Sequence, residues 1–274
     1  MPSDIPKDLY DTEKLFARKD EPAWSLRSRF IVSAVGIASK LWMSCFTRTH
    51  VYGRDVLLKA LESRPEGTPL ITVTNHHSCM DEPLLWGFLD LRHLTNAKLM
   101  RWALAAHDIC FSKPLHAGFF AYGKSIPVVR GAGVYQEGMN FTLEQLRQGS
   151  WVHLYPEGRV NLDPSRDLRL KWGVGRLFSE LRPLEPIVIP IYHLGMDRVL
   201  PSRGKPYIPR PFNDVTIVVG SPIATKGLLK KIKDLGLSEE DGRKLITDRI
   251  QEELRSLRIE AEIWHAKHKY KRRS

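Results

Sequence analysis

Five short apolar runs, at 70–74, 126–129, 151–155, 187–192 and 215–219, alternate with stretches of helical periodicity at 56–63, 82–91, 107–121, 134–147 and 171–181. This alternation restricts the chain more than any other feature. Apolar runs bounded by turn signals read as strands. Strands that alternate with helices assemble into one largely parallel or mixed sheet with helices packed on its faces, so an α/β fold is expected. The chain has 274 residues, 42% of them hydrophobic, which is enough for one substantial core. No Ser-, Gly- or Pro-rich linker, internal repeat or low-complexity segment divides it. The expected organisation is an N-terminal region over 1–50, an α/β domain over 51–237, and a C-terminal helix with a basic tail over 238–274 packed on the same domain.

The two ends carry the amphipathic segments. Residues 30–46 are apolar apart from Ser33, Ser39, Lys40 and Ser44. On a helix Ser33, Gly36, Lys40 and Ser44 form one stripe, with Ile31, Val35, Ala38 and Trp42 opposite and Phe30, Ala34, Ile37 and Leu41 widening the apolar side. Flanking Arg27, Arg29 and Arg48 and a Trp fit an element lying in one leaflet better than a full span; the alternative is an amphipathic helix packed on the domain. A second stretch, 169–182, interleaves Lys171, Arg176 and Arg182 with Leu170, Trp172, Val174, Leu177 and Phe178, and reads equally as a membrane surface or a core-packed helix. Residues 239–269 hold Leu245, Ile246, Ile250, Leu254, Leu257 and Ile263 at helical spacing behind the cap Ser238 and Asp241, which gives a long closing helix. The basic tail includes Lys267, Lys269, Lys271, Arg272 and Arg273.

The formal charge of +11 and pI near 9.6 call for a polyanionic partner. No RNA-binding aromatic signature, zinc spacing or helix-turn-helix pattern accompanies the cations, so nucleic acid is the poorer choice and an anionic lipid or phosphorylated substrate the better one. Cys45, Cys79 and Cys110 are an odd number at unrelated spacings, which excludes a disulfide framework and a Cys-rich metal site. Asp4, Asp8, Asp11 and Glu13 argue against a cleaved transit peptide, which is poor in acidic residues.

Polar clusters sit at the ends of the expected strands, where open α/β sheets bind ligands. After 70–74 comes Asn75-His76-His77-Ser78-Cys79-Met80-Asp81, which reads as a strand ending in a catalytic loop. The imidazole of His76 can accept a hydroxyl proton, and Asp81 can fix its tautomer and stabilise the imidazolium. The same spacing recurs at His50 and Asp55, but without a strand before it or a Ser in the loop, and His50 reads as a surface or linker residue. After 126–129 comes Arg130, a guanidinium able to clamp a phosphate in a bidentate way. After 151–155 comes Pro156-Glu157-Gly158-Arg159, where Gly158 permits a close turn and Glu157 and Arg159 project from it. The run 187–192, interrupted by Pro190, leaves His193 as either a pocket-wall residue or a satisfied structural histidine.

The order Asn-His-x-Ser-x-x-Asp, Gly-x-x-x-Pro-Val-x-Arg, Pro-Glu-Gly and a Val-Ile-Pro strand resembles the four sequence blocks of the glycerophospholipid acyltransferase family over about residues 41–219. Within it, His77-Ser-Cys-Met-Asp81, Tyr155-Pro-Glu-Gly-Arg-Val-Asn161, Leu170-Lys-Trp-Gly-Val-Gly-Arg-Leu177 and His193-Leu-Gly-Met-Asp197 are most similar to the branch that remodels cardiolipin. Arg159-Val160 stands where the broader family writes Thr-Arg after Pro-Glu-Gly.

The resemblance implies a glycerolphosphate-acyltransferase-like mixed sheet flanked by helices, with an N-terminal interfacial membrane helix. It also implies a CoA-independent transacylase that moves acyl chains from phospholipids such as phosphatidylcholine to monolysocardiolipin, forming cardiolipin. His76 would be the general base and Asp81 its orienting partner. Ser78, Arg130, Glu157, Gly158 and Arg159 would contact substrate, with no metal or cofactor, on mitochondrial membranes facing the intermembrane space. Two alternatives share these features: an acyl-CoA-dependent lysophospholipid acyltransferase, and a non-catalytic protein that binds anionic membranes.

Overall fold

In a computed structural model, residues 12–201 and 208–271 are described. The acidic positions Asp4, Asp8 and Asp11 and the tail residues Arg272 and Arg273 lie outside them. The strands are β1 (Thr47–Tyr52), β2 (Leu70–Thr74), β3 (Trp102–Ala106), β4 (Ser125–Val128), β5 (Trp151–Leu154), β6 (Ile187–Leu194) and β7 (Asn213–Val219). They form one sheet in the order β1-β7-β6-β2-β5-β3-β4, parallel throughout except where β7 runs antiparallel to β6. The helices are α1 (Glu13–Phe16), α2 (Pro22–Leu41), α3 (Arg54–Glu62), α4 (Asp81–Leu84), α5 (Leu91–Leu94) and α6 (His107–Cys110). They continue with α7 (Pro114–Tyr122), α8 (Glu137–Arg147), α9 (Gly173–Glu180), α10 (Met196–Val199), α11 (Thr225–Asp234) and α12 (Glu239–Lys271).

The expected mixed α/β sheet is therefore present, with two strands added. β1 and β3 are absent from the sequence reading. The polar alternation of Thr47-Arg-Thr-His-Val-Tyr52 carries little apolar signal, and the apolar but Ala-rich Trp102-Ala-Leu-Ala-Ala106 has no β-branched residue; pairing with β7 and with β4 and β5 makes them strands. His50 is thus a strand residue rather than a linker. Its ring stacks on His268 of α12 with centroids 3.4 Å apart. β1 also crosses the boundary expected at residue 50.

The sheet is covered on both faces, as parallel sheets are. Ile71, Val73, Val152, Leu154 and Val188 pack with α8, α9 and α12 on one face. Leu70, Trp151, Ile189 and Ile191 pack with Leu57 of α3 and with Leu85, Trp86 and Leu89 on the other. Some of the polar residues on the central strands pair with each other. Thr72 Oγ1 lies 2.8 Å from His153 Nδ1 and accepts the Trp151 indole N–H at 2.9 Å. The stretch 169–182 takes the core-packed alternative. Leu170, Val174, Leu177 and Phe178 are core residues, and Arg176 is buried, bonded to Glu180 and Asn140. α12 starts at the expected cap, with the Asp241 N–H on Ser238 Oγ at 3.1 Å.

The N-terminal helix faces opposite to an ordinary amphipathic helix. Trp24, Ser28, Val32, Gly36 and Ser39 are its buried residues, and Gly36 lies so close to Leu94 that an added Cβ would come within 2.9 Å. Lys40 reaches inward to the Leu89 carbonyl at 2.7 Å. Leu26, Phe30, Ile37 and Leu41 point away from the protein, Phe30 with 71% of its surface exposed. Beyond Trp24 the face turned to protein is made mostly of small residues and the face turned outward of large apolar ones, the packing found for helices next to lipid.

Candidate active site

β2, in the middle of the sheet, delivers the catalytic-looking loop. Asn75, the first residue beyond it, pins that loop to β6. Its side-chain carbonyl accepts the His193 N–H at 2.9 Å and its amide donates to the His193 carbonyl at 2.9 Å. The chain then turns back through a bond from the Asp81 N–H to the Ser78 carbonyl and enters α4. This return is why five residues of separation become direct contact. His76 Nδ1 lies 2.9 Å from Asp81 Oδ2.

Asp81 is fully buried, and the same oxygen accepts the N–H groups of His77 at 2.7 Å and Ser78 at 2.9 Å. His193 Nε2 stands 3.4 Å from it. Burial opposes ionisation, but His193 and His76 together outweigh it and hold the Asp81 carboxyl well below the usual carboxylate range. An ionised carboxylate only accepts, so the His76 proton sits on Nδ1 and Nε2 carries the lone pair. Nε2 has no hydrogen bond among the described residues. His76 is partly open, with its ring stacked on Tyr155 at 4.2 Å. This is the geometry of a base whose orienting partner is already in place.

His76 stands in the wall of a cavity of 470 Å³ lined chiefly by carbon. Ile31 and Val35 of α2, Leu104 and Ala106 of β3, Ile109 of α6 and Phe119 of α7 form much of the lining. Cys79 and Met80 close the side next to the loop. Cys79 is a free thiol whose pKa is pushed up by burial and by Asp81, a poor nucleophile.

The other expected site residues divide. The Glu157 carboxylate is buried, with Oε1 3.4 Å from the His76 N–H and Oε2 without a hydrogen-bond partner among the described residues; burial pushes its pKa up to about 7. It is therefore beside the base. Gly158 makes the turn at φ +70°, in the left-handed region that favours glycine. Arg159 is exposed next to the cavity residue Val160. Arg130 follows β4, half exposed and ion-paired to Asp108, outside the cavity lining. The Ser78 hydroxyl donates to the Leu200 carbonyl at 2.9 Å and accepts the Met80 N–H at 3.2 Å; it is fully buried, does not line the cavity and braces the loop.

The sequence reading missed a polar group in the cavity wall. Arg101 donates from Nε to Glu82 Oε1 at 2.7 Å and lies over the Trp86 ring at 5.6 Å, and all three line the cavity with Tyr155. Burial raises the Glu82 pKa while Arg101 opposes it. Arg101 sits in an irregular loop with no periodic pattern, so the one available signal was a cation preceding a short apolar run. Lys124, just before β4, turns away from the cavity to the carbonyls of Ala97 and Met100; burial lowers its pKa to about 7.

Residues 55–194 match the family model described as Acyltransferase. The fold resembles the crystal structure of the 1-acyl-sn-glycerophosphate acyltransferase of Thermotoga maritima, with a TM-score of 0.57 over 89% of this chain and 86% of that one at 19% identity. A sheet-end His-Asp pair opening on an apolar cavity, within this fold, defines an O-acyltransferase. The "Tafazzin" of Drosophila melanogaster is 46% identical over 93% of this chain and 68% of its own length, and the "Taffazin" of Dictyostelium discoideum 36% identical over 87% and 88%. The chain belongs to the tafazzin family. A plant relative, the "N-acylphosphatidylethanolamine synthase" of Arabidopsis thaliana, is 41% identical over 70% of this chain and 69% of its own.

Proposed function

We propose that this chain moves an acyl group from one phospholipid to the free hydroxyl of a lysophospholipid without CoA, with phosphatidylcholine as donor and monolysocardiolipin as acceptor, remodelling cardiolipin on mitochondrial membranes facing the intermembrane space. The observation that carries the reading is the position of the His76–Asp81 pair beside an apolar cavity whose wall includes α2. A cavity of this kind suits an acyl chain, and a lipid-facing helix in its wall lets that chain enter from the leaflet. Exposed Ile109, Leu115 and Phe119 on α6 and α7 continue the apolar surface.

In this reading His76 Nε2 takes the hydroxyl proton of the acceptor. The acceptor oxygen attacks the donor ester carbonyl, the bond to the donor's glycerol oxygen breaks, and the His76 imidazolium returns its proton to that leaving oxygen. Asp81 stabilises the imidazolium between the two transfers. One ester replaces a similar ester, so the reaction is close to thermoneutral and runs in both directions. Arg159 beside the cavity and Arg130 after β4 are the cations for the acceptor phosphate, with Glu157 and the turn at Gly158 setting its approach; holding both lipids this way makes the attack effectively intramolecular.

The test is transfer from labelled phosphatidylcholine in liposomes, with monolysocardiolipin or phosphatidylethanolamine as acceptor, with and without acyl-CoA. Transfer to monolysocardiolipin without CoA is expected. Transfer that appears only with acyl-CoA, or only to the amine of phosphatidylethanolamine, overturns the proposed donor or acceptor.

A further inference from the structure

Asp81 serves two imidazoles, and only one of them has a place in the transfer just described. His193, on β6, is fully buried. Its Nε2 lies 3.4 Å from Asp81 Oδ2 and 3.1 Å from the Asn75 carbonyl oxygen. Its main-chain N–H and carbonyl are both clamped by the Asn75 side chain at 2.9 Å. The ring is therefore held against the oxygen that orients His76.

We propose that His193 is a positioning residue for acyl transfer: it shares the Asp81 carboxylate with His76 and limits how firmly that carboxylate holds His76 as an imidazolium. The inference rests on the general-base reading of His76. In a reversible exchange between two similar alcohols, the base must release the proton as readily as it takes it. A carboxylate committed to His76 alone would favour the imidazolium and slow the second transfer. A second donor on the same oxygen withdraws part of that stabilisation, and hydrogen bonds to a charged group are strong enough for the sharing to matter.

The surroundings agree. Asp81 on α4 and Glu157 after β5 face His193 as acids, and His76 and His77 after β2 and His153 on β5 surround it as further imidazoles. Burial alone would lower the His193 pKa, yet Asp81, the hydrogen bond to the Asn75 carbonyl and Glu157 raise it above the usual histidine value. Asp81 acts on His77 and His153 as well, but there burial prevails and pushes them down. His193 is thus the member of this group whose proton the site retains.

The experiment compares the pH–rate profile of CoA-independent transfer in liposomes for the wild type, His193→Gln and His76→Ala. Gln places a neutral N–H near the position of Nε2, keeping a donor but no charge. The expected result is an acid limb displaced to higher pH by about one unit, whatever the height of the profile, because a neutral amide competes with His76 for Asp81 less than an imidazole that can carry charge. A limb at the wild-type position, with the rate merely scaled, overturns the proposal and leaves His193 a structural residue. Residual transfer by His76→Ala instead sinks the base assignment itself, so the two failures are distinct. If His193→Gln does not fold, ring-nitrogen NMR of the wild-type protein decides. A protonated Nε2 on His193 is expected, and a tautomer protonated only at Nδ1 overturns the proposal, since it could not donate to Asp81.

Discussion

Replacing Phe30 and Ile37 together by Ser tests the orientation of α2. Phe30 is 71% and Ile37 41% exposed, on the face that points away from the protein. Burying a whole side chain of this kind in an apolar phase contributes about 2 kcal/mol. Scaled by exposure, the pair should contribute about 2 kcal/mol to membrane binding, a loss of about thirtyfold in partitioning to liposomes on substitution. Neither residue belongs to the core clusters, so the melting temperature should move little. Flotation with anionic liposomes measures the partitioning, and transfer in mixed detergent micelles measures the chemistry separately. The expected result is weakened flotation with micellar activity retained. Unchanged flotation, with thermal stability reduced, would refute the reasoning and make α2 an ordinary packed helix.

Further outcomes follow from the site. Asp81→Asn should lower transfer by about 10³- to 10⁴-fold, because an amide facing Nδ1 no longer fixes the productive tautomer, and activity within tenfold of wild type would contradict the orienting role. Arg101→Met should cost about 3–5 kcal/mol in stability, because it strands the Glu82 carboxylate in the cavity wall, and adding Glu82→Gln should recover much of the loss in thermal unfolding. Glu157 has a folded pKa of about 7, raised by burial above its unfolded value. The native state then binds more protons than the unfolded state between about pH 4.5 and 7, so this stabilisation is complete below that window and is lost as pH rises through it. Denaturant unfolding should therefore show wild type losing about 3 kcal/mol relative to Glu157→Gln across that window. Parallel stability curves for the two proteins would contradict the shift.

What could be read in advance was what depends on local chemistry. β2 was fully legible because Leu70-Ile-Thr-Val-Thr74 is buried along its whole length and bounded by turn formers. The His76–Asp81 contact was legible because a strand end followed by a return turn leaves few other places for the carboxylate. The helix expected over 82–91 breaks into α4, a tight turn over Leu85–Phe88 and α5. Gly87 lies close enough to Ser39 and Met43 of the N-terminal helix segment that a Cβ there would come within 2.7 Å of both, a constraint visible only in the packed state. The face of α2 could not be read from its stripe of Ser, Gly and Lys, because that stripe serves a solvent-exposed side or a close helix contact equally well. Arg101 and His193 were obscure for a related reason: each acquires its meaning from a partner elsewhere in the chain, Glu82 for one and Asp81 for the other. The nominated Arg130 was placed correctly at a strand end, but its pairing with Asp108 is a tertiary fact.

The central claim is that His76, oriented by Asp81, activates the acceptor hydroxyl for direct acyl transfer between phospholipids. Its most direct test is the rate of label exchange between phosphatidylcholine and monolysocardiolipin in CoA-free liposomes, for wild type and His76→Ala proteins shown to have equal melting temperatures and equal liposome binding. The account predicts transfer by the wild type and none above background by the variant. Transfer by His76→Ala within tenfold of the wild-type rate would contradict it.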